Sequence, residues 1–180
     1  AGSTGASGDL DVRPPASDSG NHGSHVAGTI AGYAATEEGE VKFSGIAPDA
    51  QLAIMKVFPD QSSGALEQNI IDALEDAMKI GVDVVNLSLG SDNGFAHDDT
   101  VQNDIYQQME DAGIVVMVAA GNSDTSMTQN KLEGKLTAEN PEFSMVSSPS
   151  VYDSNLSVAS FNNTVNTEAV LVWKGEDGVE

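Results

Sequence analysis

Asn21-His22-Gly23-Ser24-His25-Val26-Ala27-Gly28-Thr29-Ile30-Ala31-Gly32 places a histidine where a polar loop turns into a run of small and apolar residues. From His22 to about Tyr33 the residues are mostly Ala, Gly, Val and Ile, apolar on nearly every side, which predicts a helix inside the protein. Such a placement suits a general base, because imidazole changes charge near neutral pH. Taken alone, His22 reads as a structural or exposed histidine, and His25 as packing. A base needs partners, so the meaning of this stretch depends on the rest of the chain.

Beyond the polar loop Thr36-Glu37-Glu38-Gly39-Glu40 the chain alternates. Gln51 to Val57 reads as a strand, with a continuous apolar run from Leu52 to Met55. Ala65 to Ile80 reads as an amphipathic helix carrying Leu66, Ile70, Ala73, Leu74 and Ala77 on one face, and Gly81 stops it. Asp83 to Leu89 is a strand, Asp98 to Ala112 a helix stopped by Gly113, and Ile114 to Ala120 a further strand. Apolar strands alternating with helices predict an α/β fold, a parallel sheet flanked by helices on both faces. Sites in such sheets lie beyond the strand C-termini. Ser88-Leu89-Gly90 and Ala119-Ala120-Gly121-Asn122 sit at two such ends and are expected side by side. After Asn122 the pattern loosens. Ser123 to Pro149 is polar, and Leu156 to Phe161 and Ala169 to Trp173 read as strands.

Composition narrows the function. The chain has 180 residues, is 39% hydrophobic, and carries a net charge of −21 from 28 acidic and 7 basic side chains. Such a surface repels phosphate, so nucleic acid and anionic membranes are excluded as partners. It reads as a solvated acidic surface, with attraction of cationic ligands or calcium as the sharper alternative. There is no cysteine, which removes disulfides, thiol catalysis and cysteine-ligated zinc. No apolar run approaches the length of a membrane span, so membrane insertion is not expected. The first residues, Ala1-Gly2-Ser3-Thr4-Gly5-Ala6-Ser7-Gly8, hold neither an initiator Met nor a signal peptide, and a processed or excised piece is expected. No Gly-Lys-Ser/Thr follows them, so they are not a phosphate loop.

His22-Gly23-Ser24-His25-Val26-Ala27-Gly28-Thr29 resembles the histidine motif of subtilisin-like serine proteases. Ser44-Gly45-Ile46-Ala47-Pro48-Asp49-Ala50 resembles the turn that follows it in that family, Asn86-Leu87-Ser88-Leu89-Gly90 the substrate-lining strand, and Ala119-Ala120-Gly121-Asn122 the oxyanion-hole motif. Pro149 followed by Leu156-Ser157-Val158-Ala159-Ser160 resembles the strand beyond it. One match alone is weak; their succession in the family's order, from about Asp9 to Phe161, carries the resemblance. It implies that His22 is the general base and that Asn122 donates its side-chain amide to the oxyanion. It further implies that Ser88, Leu89 and Gly90 pair with an extended substrate backbone. Ala119, Ala120 and Gly121 would wall the pocket for the residue before the scissile bond, a roomy one by their size, and Ser63-Gly64-Ala65 would form the opposite edge. No cofactor is implied. Calcium is an option, although Thr36 to Phe43 shows no ligand pattern.

The family's serine lies in Gly-Thr-Ser-Met, well beyond the oxyanion asparagine, and no such motif occurs here. Thr125-Ser126-Met127 has Asp124 in place of the glycine, and Ser144-Met145 follows Phe143. Asp18-Ser19-Gly20 has the letters of the catalytic acid's motif but abuts His22 with no apolar strand before it. Asp9-Leu10-Asp11-Val12 resembles sequence just after that acid, and Asp9, Asp11 and Asp18 read as solvated loop residues. Residues 1–165 are therefore expected to be a partial peptidase domain, and 166–180 the start of a connection to an inserted domain. Such insertions occur in large cell-envelope subtilisins, the lactocepin and C5a peptidase branch. The resemblance implies a serine endopeptidase acting on polypeptides, bacterial, extracellular or attached to the cell envelope. The piece alone is expected to be inactive and to need the remainder of its catalytic domain. A non-catalytic peptide-binding module derived from the same domain is the alternative. A nucleotide-binding domain is disfavoured, since no glycine-rich phosphate turn follows a strand.

Overall fold

The histidine stretch forms helix α1, His22–Ala31, in a computed structural model that describes residues 21–59, 64–91, 94, 101–122 and 146–161. The last carbonyls of any helix need outside donors. Here the N–H groups of Gly45, Ile46 and Ala47 supply them, to Gly32 O at 2.7 Å, Thr29 O at 3.1 Å and Ile30 O at 2.7 Å. A Cβ on Gly45 would stand 2.7 Å from Ile30 O, so only glycine lets the turn come this close. Capping α1 is thus the structural work of the Ser44-Gly45-Ile46-Ala47 motif.

The helix is shorter than its composition predicts. It ends at Gly32, and Tyr33–Ala35 is strand β1, paired antiparallel with strand β2, Val41–Ser44. The polar stretch Thr36 to Glu40 connects the two strands, with Gly39 at φ 86°. Nor is α1 deeply inside: it has no buried residue. Phe43 and the Gly45–Ala47 turn meet it at its C-terminal end.

Helix α2, Glu67–Ile80, matches its expected position and stops at Gly81, whose φ of 72° is left-handed. The buried stripe is Ile71, Ala73, Leu74 and Ala77. Leu66 falls at the N-cap instead and is exposed, because the helix starts at Glu67, two residues after the expected Ala65, and the stripe turns with its own period. Strand β3, Val84–Leu87, helix α3, Val101–Asp111, and strand β4, Val115–Ala119, follow as read, with β5, Leu156–Val158, after them. The sheet is parallel in the order β3-β4-β5, with Leu87 opposite Val118 and Ala119 opposite Val158.

Helices α2 and α3 cover one face. Leu74 and Ala77 from α2, Ile105, Tyr106 and Met109 from α3, and Leu87, Val116 and Val118 from the strands make the core, joined by Tyr152. On β4 the alternation is clean: Val116 and Val118 are buried, while Val115 between them and the helix is exposed. Val84, Leu156 and Val158 on the other strands are also exposed. The described residues therefore supply the cover of one face of the sheet.

Gln51 to Val57 carries no ladder with any described strand, contrary to its apolar run, and Leu52 and Ile54 are exposed. An extended run becomes a strand only when a neighbour meets its backbone groups, and no described strand does so. Its end is nonetheless anchored: Val57 is buried and its carbonyl accepts the Asn69 side-chain amide at 3.2 Å. The helix start expected at Asp98 and the strand expected at Ala169 to Trp173 lie outside the described residues, as does the boundary at 165.

Candidate active site

Because β3 and β4 run parallel with Leu87 opposite Val118, both chains leave the sheet at the same edge. Ser88-Leu89-Gly90 and Ala119-Ala120-Gly121-Asn122 therefore emerge side by side, as expected from sequence. Leu89 packs on the core and holds its strand end down, while Asn86 donates its side-chain amide to the Ser88 hydroxyl at 2.9 Å. Gly90 is exposed. Gly121 turns the other strand end at φ 111°, a conformation that L side chains rarely adopt, and Asn122 follows it in an exposed bend.

A third segment, missed in the sequence, lies between the two ends. Ser147 donates its N–H to Ala120 O at 2.8 Å, Ser91 and Ser148 exchange backbone bonds at 2.9 Å each, and Gly94 donates to Val146 O at 3.0 Å. Ala120 in turn donates to Val158 O at 2.9 Å, which ties in β5. The ladder between β3 and β4 thus gives way, beyond Leu87 and Ala119, to a junction built on Val146–Ser148. Behind it the chain is fastened to α3. Tyr152 stacks at 5.5 Å on Tyr106 and donates its hydroxyl to Gln102 Oε1 at 2.9 Å.

The one sequence signal for this segment was the glycines. A Cβ on Gly90 would stand 2.6 Å from Ser148 O, and one on Gly94 2.5 Å from Ser148 N. Neither glycine has an exceptional backbone angle, so close approach of another segment is what they serve.

His22 is the first residue of α1, exposed, with Asn21 in the N-cap position and no side-chain capping bond. The helix start foreseen for it is there. His25, one turn on, is exposed rather than packed in the interior, since no described element covers that end of α1. Gly64 is exposed just before α2. Ser63, Asp9, Asp11, Asp18, Ser126 and Ser144 lie outside the described residues. Among the described residues no group of three or more His, Cys, Asp or Glu is placed to hold a metal ion.

Residues 3–172 match the sequence profile of the subtilase family, peptidase S8. The chain is similar to the PII-type proteinase of Lacticaseibacillus paracasei, at 35% identity over 159 residues, and to the PIII-type proteinase of Lactococcus lactis subsp. cremoris strain SK11, at 36% over 157. These alignments take in 87% and 86% of this chain but only 8% of either relative. A C5a peptidase of Streptococcus pyogenes is 29% identical over 158 residues, 87% of this chain and 13% of that protein. In shape the chain resembles the patellamide maturation protease PatA, with a TM-score of 0.61 at 21% identity over 80% of this chain and 44% of that one. It also resembles the S41 psychrophilic protease, at 0.54 and 24% over 78% and 40%. The fold, a partial subtilisin-like α/β domain, and the succession of motifs agree with the match along nearly the whole sequence: this chain belongs to the subtilase family of serine proteases.

Proposed function

We propose that these 180 residues carry the histidine, the oxyanion amide and the substrate edge of a subtilisin-like serine endopeptidase. His22 takes the proton of a serine hydroxyl as it attacks the peptide carbonyl and returns it to the leaving amine. Asn122 donates its amide to the oxyanion, while Ser88 to Gly90 receive the substrate backbone as an added strand. The observation that supports this most is the parallel register of Leu87 and Val118, which brings the two motif ends to one edge. Polypeptides are the substrates. We place the protein outside the bacterial cell or on its envelope, a reading supported by bacterial relatives and by the lack of cysteine.

The sequence holds no Gly-Thr-Ser-Met motif. Hydrolysis therefore needs a serine and an acid that this chain does not supply, and the 180 residues alone bind peptide without cutting it. A fluorophosphonate probe applied to the chain and to the whole product of its reading frame tests this. The whole product is labelled at a serine and the chain is not. A labelled serine in the chain alone would contradict the assignment. Failure of the whole product to react would instead favour the peptide-binding module, since the cleft lining would then stand without a nucleophile.

A further inference from the structure

Asn122 is exposed in the bend after Gly121, so the backbone just before it decides where its amide points. That backbone is held from both sides. Ala120 donates its N–H to Val158 O at 2.9 Å, and its carbonyl accepts the N–H of Ser147 at 2.8 Å. Both partners belong to one stretch, 147–158, which closes on itself like a clip. Asn155 donates its side-chain amide to Pro149 O at 2.8 Å, and Ser150 donates its hydroxyl to that of Ser157 at 2.6 Å. Tyr152 N adds a bond to Pro149 O at 3.3 Å. The oxyanion turn hangs on this clip, and its placement is as firm as whatever the clip rests on.

The clip rests on helix α3 through Tyr152. The Tyr152 ring lies 5.5 Å from that of Tyr106, and its hydroxyl donates to Gln102 Oε1 at 2.9 Å. Both tyrosines are buried in the core under the sheet. The ring contact is tilted and apolar, and it tolerates sliding. The hydroxyl bond does not, because a hydrogen bond fixes direction as well as distance.

We propose that Tyr152 is a positioning residue for the reaction: its bond to Gln102 sets the clip on α3 and thereby aims the Asn122 amide at the oxyanion. The proposal rests on the active-site reading given above. Aim governs turnover rather than binding, because the oxyanion exists only near the transition state. A misplacement of roughly 1 Å costs about 10²-fold, and one lost bond behind the clip permits a part of that, about tenfold in kcat.

The test is steady-state peptide hydrolysis by the whole product of the reading frame and its variants, with urea midpoints to show that each is folded. Tyr152→Phe keeps the ring and loses the hydroxyl, so kcat falls about tenfold while KM holds. Gln102→Leu removes the acceptor and gives the same loss. Gln102→Glu keeps an acceptor oxygen and stays within about twofold of wild type. If Tyr152→Phe does not fold, the two Gln102 variants decide. In an Asn122→Ala background the loss from Tyr152→Phe shrinks below about twofold, since the amide it aims is gone. Unchanged kcat in both Tyr152→Phe and Gln102→Leu overturns the proposal. So does a tenfold loss that persists in the Asn122→Ala background, which a merely stabilising residue would give. Those results leave the active site standing. Full turnover by Asn122→Ala alone overturns the active-site reading and this proposal together.

Discussion

Ser147 donates its backbone N–H to the carbonyl oxygen of Ala120 at 2.8 Å, and its side chain lies against the next residue, Gly121. The oxyanion turn is therefore shaped by a segment more than twenty positions further along the chain. Gly121→Ala would combine a positive φ of 111° with a Cβ that meets Ser147. The expected loss is about 2–4 kcal/mol, from strain and overpacking together. Urea unfolding measures it, and a loss below about 0.5 kcal/mol would refute the contact.

Gly81 offers the contrast. It too is left-handed, at φ 72°, but nothing lies within 4 Å of a Cβ built there. Gly81→Ala should cost only the conformational term, about 1–2 kcal/mol, in the same unfolding experiment. The two substitutions separate a crowded glycine from one that merely ends a helix.

Packing on α3 makes a third prediction. Met109 is 0% exposed, whereas Val101 on the same helix is 65% exposed. Met109→Ala should destabilise by about 2–5 kcal/mol. Val101→Ala should stay within about 0.5 kcal/mol. Equal effects would show that α3 does not pack on the sheet through the Ile105-Tyr106-Met109 stripe.

The buried phenol on that stripe sets an alkaline limit. Burial, reinforced by Tyr152 and then Glu67, raises the Tyr106 hydroxyl above its ordinary value of 10.0. The folded state thus keeps a proton that the unfolded chain gives up. Its contribution to stability is whole below pH 10 and declines as pH rises above it, by up to about 1.4 kcal/mol per unit. Tyr106→Phe should flatten this alkaline limb of the stability curve, as followed by urea midpoints from pH 8 to 11.5.

Asn122→Ala, made in the whole product of the reading frame, should lower turnover about 10²–10³-fold with little change in KM, a magnitude that comes from a subtilisin. An equal rise in KM would mean that the amide binds substrate rather than the developing oxyanion.

Much of this was legible in the sequence because it depends on local period and punctuation. The Ile70-Ala73-Leu74-Ala77 spacing and Gly81 define α2, although Ile71 rather than Ile70 is the residue buried, and the apolar run before Ala120 defines β4. The motif ends were legible too, since parallel strands must release their C-termini at one edge. The hairpin was not. Tyr33-Ala34-Ala35 continues the small apolar composition of α1, and only the close approach of Phe43 and the Gly45 turn forces the helix to end at Gly32. Gln51 to Val57 misled for the opposite reason, because apolar composition cannot report whether a neighbouring strand is present. The Ser147 junction was hidden because its partners, Gly90, Gly121 and Ala120, are distant in sequence and no local pattern links them.

The assignment of His22 as the general base is tested most directly by peptide hydrolysis with the whole product of the reading frame and its His22→Ala variant. The account predicts that turnover falls by about 10⁶-fold, the loss known for removing this histidine from a subtilisin, with the fold unchanged. A variant that keeps turnover within about tenfold of wild type would contradict it.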